Sequence, residues 1–134
     1  MIRVLFVAAM TLTLAGCAGL QVKSDKRTVM ELADKRMTAL LALDFETAYT
    51  YMSPGYRAKK SLDRFKVEFS GSANVVGFEV LDAECEENSC VVSVSRDVKI
   101  NVYIPGMDRS KPINSVVQQV WVKTDGQWGY VKLK

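Results

Sequence analysis

Glu79 and Arg96 are the two residues of this chain whose types and placement come nearest to acid–base chemistry. If Cys85 and Cys90 face one another across a hairpin, their register sets Glu79 opposite Arg96, on a face otherwise made of residues such as Leu81, Val94 and Val98. A carboxylate beside a guanidinium in apolar surroundings has a tuned proton affinity and can orient a polar ligand. The same two groups at a sheet end make only a cross-strand salt bridge. Tyr49, with Tyr51, Tyr56 and Asp63, adds hydroxyl and carboxyl groups that could reach a pocket from the preceding segment, or serve as core tyrosines with a solvated hydroxyl. The 134 residues include no histidine, so a serine or cysteine nucleophile has no imidazole base. No catalytic set, metal site or cofactor is expected.

The cysteines divide into one near the start and a pair. Cys85 and Cys90 flank "EENS", which is neither the C-x-x-C redox spacing nor, without histidine, enough for a zinc site. In an exported protein this spacing predicts a disulfide across a hairpin turn, contributing about 2 kcal/mol by loop entropy.

Export is what the first segment predicts. Arg3 precedes a run from Val4 to Gly16 that is apolar or small except for Thr11 and Thr13, and that is well short of the ~20 residues a membrane span needs. The motif Leu14-Ala15-Gly16-Cys17 resembles the lipobox of bacterial lipoproteins, whose cysteine is joined to a diacylglycerol and becomes the new N-terminus. The resemblance implies a signal peptide over 1–16 and a lipidated N-terminus and tether over 17–24; the length that remains is enough for one compact domain, over 25–134, but not for two. It also implies a membrane partner through the lipid on Cys17. Ala18 in place of aspartate points, by Gram-negative sorting rules, to the periplasmic face of the outer membrane; a Gram-positive source would put the protein outside the plasma membrane.

The formal charge of +3 comes from interspersed residues of both signs, so no basic block suggests nucleic acid. Lys23, Lys26 and Arg27 lie just after the anchor, where they are solvated or brush anionic headgroups.

The elements that must position these groups read as follows. Val29, Leu32, Ala33, Met37, Leu40 and Leu41 recur at spacings of three and four, predicting a helix over 25–43 with Thr28 and Glu31 at capping-box spacing. Arg36 falls on the edge of that stripe, as a snorkelling side chain. Asp44 caps a second helix that Ser53-Pro54-Gly55 ends, and Ser61 caps a third. From Val75 on, alternation predicts an antiparallel sheet, with one strand continuing through Val98 and Ile100 to Ile104 and a loop over 105–114. Asp125-Gly126 is a two-residue hairpin signal that sets Trp121 opposite Tyr130 and Lys123 opposite Trp128. Trp121, Trp128 and Tyr130 then share one face, which is either a protein interface or core packed under the helices.

Helices followed by a long-stranded antiparallel sheet make an α+β layout. The segments "ALLALDFETAYTYMSPGYR" and "VVQQVWVKTDGQWGYVKLK" resemble the helix-turn-helix and closing hairpin of nuclear transport factor 2-like proteins. That resemblance implies N-terminal helices on a curved antiparallel sheet, forming a cone that often holds a pocket, and often a homodimer through the outer face. Some members are isomerases or dehydratases and many only bind or assemble, and no enzyme pattern transfers residue by residue. The expectation is therefore a lipid-anchored, non-enzymatic binding or assembly module with an envelope protein partner. The alternative is a small-molecule carrier or isomerase-like enzyme using Glu79, Arg96 and Tyr49.

Overall fold

Residues 17–133 are described by a computed structural model. The leader expected over 1–16, the side chain of Cys17 and Lys134 lie outside the described residues.

The first helix, α1, spans Cys17–Leu41. Val29, Ala33, Met37 and Leu40 form its buried stripe, as their spacing requires. It begins earlier than expected: the stretch 17–24 is continuous with it. That stretch has no proline, and Thr28 caps nothing, instead donating its hydroxyl to the Ser24 carbonyl at 3.0 Å. The helix closes with Leu43 in the left-handed region (φ 57°) and two bonds, Leu43 N to Leu40 O (3.1 Å) and Asp44 N to Ala39 O (2.8 Å). This is the Schellman pattern without its usual glycine.

Asp44 caps α2 (Phe45–Thr50), accepting from Thr47 N at 3.1 Å. Where the sequence predicts only a break, a further helix α3 (Pro54–Lys59) follows, because Ser53 Oγ accepts from Tyr56 N (3.2 Å) and proline suits the first turn. Ser61 caps α4 (Leu62–Glu68), and a 3-10 stretch, Ser70–Asn74, leads into the sheet.

The strands β1 (Val75–Glu86), β2 (Ser89–Val98), β3 (Ile113–Thr124) and β4 (Gln127–Val131) form an antiparallel sheet in chain order. The last hairpin has the expected register, and Asp125 (φ 50°) and Gly126 (φ 78°) supply the paired positive φ values of a type I′ turn. The first hairpin keeps the expected register only near its tip. Cys85 faces Cys90 and Ala83 faces Val92, but a bulge at Leu81 shifts the pairing, and a second irregularity follows at Val76. Beyond Val98, β2 does not continue: β1 starts at Val75 and offers no partner, so Lys99 N bonds to Asn74 O (2.8 Å) and Val102 and Ile104 are exposed.

The segment between α2 and α3 lies along β4. Ser53 N donates to Tyr130 O (2.9 Å) and Tyr130 N to Tyr51 O (2.8 Å). Gly129 permits this approach, since a Cβ there would sit 2.6 Å from Ser53 Cα.

The helices cover the sheet face that carries Ala83, Cys90, Val92, Val94 and Trp121. Trp121 is fully buried, and Trp128 and Tyr130 are half-buried against the core, so of the two readings of this face the interface is corrected and the core stands: the aromatic face of the last hairpin is the inner one. The core also gathers Phe45, Tyr49, Tyr56 and Phe69 around Phe65 with ring centroids 4.5–6.4 Å away.

Candidate functional site

Four residues break the core pattern where periodicity calls for apolar side chains. Arg36 lies on α1 between Ala33 and Leu40, Arg96 extends the inward series Cys90, Val92, Val94 on β2, Gln119 stands between Val117 and Trp121 on β3, and Tyr130 faces inward from β4. These four line one cavity of about 210 Å³ between the C-terminal half of α1 and the sheet. Met37, Leu40, Phe69, Val75 and Val117 supply apolar wall.

Arg36 is 2% exposed. Its Cζ lies 3.8 Å from the Tyr130 ring centroid and 5.1 Å from that of Phe69. Among the described residues, its Nε and Nη2 have no hydrogen-bond partner, and neither does Nε of Arg96. Burial, with a smaller contribution from the charge of Arg96, pushes the Arg36 pKa down to about 10, so the guanidinium stays charged at neutral pH. Gln119 is also buried; Trp121 Nε1 donates to its Oε1 at 3.3 Å, which leaves the amide nitrogen as a donor at the other end. No Asp or Glu is among the lining residues. The cavity thus joins two guanidiniums and an amide donor to an apolar wall, with Ser72 and Gln118 as further, uncharged polar lining.

The expected pocket trio does not assemble. Arg96 is in the cavity, but the bulge at Leu81 sets Phe78 opposite Arg96 and Glu79 opposite Ser95, sending Glu79 to the exposed outer face. Tyr49 spends its hydroxyl on the Lys60 carbonyl at 2.7 Å and its ring on Phe65. Tyr56 donates to Glu68 Oε2 (2.7 Å), and Glu68 is held as well by Lys60 and Lys132. Arg36, read as snorkelling, is instead enclosed. The signal that marks it is its place inside a buried stripe with no carboxylate one turn away on that face.

At the opposite end of the sheet, Cys85 and Cys90 form the expected disulfide at the hairpin tip. Asp25, 7% exposed, pairs there with Lys123 at 3.1 Å. Burial alone would raise its pKa, but bonds from Lys123 and Gln21 hold it below the usual carboxylate value. Among the described residues no group of three or more Cys, Asp or Glu side chains could hold a metal, and no helix is long and apolar enough to cross a membrane.

No protein family and no curated protein matches the chain by sequence. Its fold has solved counterparts. A SEC-C motif containing protein from Rhodopseudomonas palustris is similar over 75% of this chain and 73% of its own, with TM-score 0.56 and 15% identity. A candidate NTF2-like transpeptidase from Campylobacter jejuni is similar over 75% of this chain and 94% of its own, with TM-score 0.53 and 16% identity. The chain therefore has the nuclear transport factor 2-like α+β fold: N-terminal helices packed on an antiparallel sheet.

Proposed function

We propose that this chain is a lipid-anchored binding module of the bacterial envelope, which holds a small ligand in the cavity between α1 and the sheet and catalyses no reaction. The observation that carries the reading is Arg36, a buried guanidinium with two donor nitrogens unpartnered among the described residues, in a residue that lines a space large enough to be filled. A buried cation without a partner is costly, and a ligand that satisfies it accounts for its presence. A reaction would need a base or an activated nucleophile; the cavity lining contains neither carboxylate nor thiol, and its hydroxyl residues, Ser72 and Tyr130, have no histidine in the chain to activate them.

The lipobox resemblance supports an anchor at Cys17 and a place on the periplasmic face of the outer membrane. Exposed Leu81 and Val116 on the outer sheet side favour an envelope protein or a second copy of the chain as partner. Native mass spectrometry of the full chain, extracted in detergent from a Gram-negative host, tests both halves. Expected are a diacylglyceryl-bearing Cys17, lost in Cys17→Ser, and a reproducible extra mass that exchanges with added small molecules. An unprocessed chain overturns the anchor. Bare protein that also takes up nothing from a periplasmic extract overturns the binding reading.

A further inference from the structure

The charges and walls of the cavity restrict what would fill it. Arg36 and Arg96 bring two guanidiniums to the lining of one small space, with no acidic lining residue to offset them. Gln119 adds a further donor once Trp121 has taken its oxygen. Every fixed polar feature named here therefore asks for an acceptor, and the two arginines ask for an anion. The Tyr130 and Phe69 rings pack against the Arg36 guanidinium without supplying a counter-charge, which leaves its charge for a two-oxygen partner.

The remaining wall separates organic anions from inorganic ones. Met37, Leu40, Phe69 and Val117 face the same space, and a bare phosphate or sulfate would leave that surface uncovered. At about 210 Å³ the cavity is below the usual range for drug-sized ligands, which excludes long acyl chains and nucleotides. Its position agrees. Arg36 lies roughly 30 Å along α1 from Cys17 at the rise of an α-helix, so the cavity is held away from the end that carries the anchor.

We infer that the cavity is built for a small organic carboxylate, its oxygens seated on Arg36 and Arg96 and its apolar body against Met37, Leu40 and Phe69. This rests on the binding reading above and names the ligand class. The alternative sources of negative charge are inorganic phosphate and sulfate, which share the arginines and ignore the apolar wall.

The test uses the full chain in detergent and two matched pairs of probes, benzoate with benzamide and hexanoate with hexanamide, alongside inorganic phosphate. Binding is read by calorimetry and by the shift in thermal midpoint. The carboxylates are expected to bind and raise the midpoint, while their amides and phosphate bind at least about tenfold more weakly. Arg96→Gln should weaken carboxylate binding by at least about tenfold, with the circular dichroism spectrum unchanged. Arg96 is only partly buried, so this variant keeps the test open if Arg36→Gln fails to fold. Amides that bind as well as the acids overturn the carboxylate assignment while leaving a binding cavity. Phosphate that matches benzoate overturns it in favour of a bare anion site. Failure of every probe, together with bare protein in the native mass spectrum, overturns both readings.

Discussion

The guanidinium of Arg36 lies 3.8 Å from the centroid of the Tyr130 ring, and no carboxylate lines the cavity around it. An arginine in a core is ordinarily paired, because desolvating the charge costs more than stacking returns. Such a residue weakens the empty protein. Arg36→Met keeps most of the packing volume and removes the charge, so it is expected to stabilise the free chain by about 1 kcal/mol, measured as a higher urea midpoint at unchanged m-value. A midpoint that falls by more than this would mean that the guanidinium is structural.

Gly129 lets the Tyr51–Ser53 segment lie against β4, and through Tyr130 that contact holds the ring under Arg36. Backbone, not a flexible side chain, is what an added methyl would strike. Gly129→Ala is therefore expected to destabilise the protein by about 1–3 kcal/mol despite being the smallest of substitutions. Amide exchange at Ser53 and Tyr130 should rise before that of β2, and equal protection at both sites would show that the strand shifts to absorb the methyl at no cost.

The disulfide staples the end of the sheet remote from the cavity. Replacing Cys85 and Cys90 with serine is expected to remove about 2 kcal/mol of stability. Ligand uptake at saturating concentration should be unchanged, because the cavity is lined by no residue of that hairpin tip. A loss of uptake in a folded double variant would tie the tip to the site.

Local signals carried much of this fold. Asp44 and Ser61 cap their helices, Asp125-Gly126 sets the last hairpin, and Cys85 faces Cys90, because each depends on a few adjacent residues. What local pattern does not encode is the bulge at Leu81. One extra residue there turns Glu79 outward and replaces the expected pair with Phe78 and Arg96, and nothing in an alternating strand marks where such a residue will sit. Pro54 reads as a helix end and instead begins α3 for a related reason, since proline ends one helix and begins another with equal ease. Arg36 was legible as a charge within the stripe, but its enclosure depends on Tyr130 and Phe69, which are distant in sequence.

Glu68 gathers Lys60, the Tyr56 hydroxyl and Lys132, joining α3, α4 and the chain beyond β4. Its bond from Lys60, then that from Tyr56, outweigh desolvation and, with Lys132, hold the carboxyl at about 2, whereas an unfolded glutamate titrates near ~4.3. Because the folded value is the lower one, the unfolded chain binds the extra proton between the two. The contribution of Glu68 is therefore complete above about pH 5 and is lost as pH falls from ~4.3 toward about 2. Asp25, Asp44, Asp82 and Asp108 are depressed as well, so the overall acid transition does not isolate this residue. The difference between the wild type and Glu68→Gln does. Urea midpoints taken from pH 7 to pH 2.5 should show a gap favouring the wild type that is constant down to about pH 5 and narrows steadily below it. A gap that stays constant to pH 2.5 would mean that Glu68 contributes packing and a neutral hydrogen bond, with its charge playing no part.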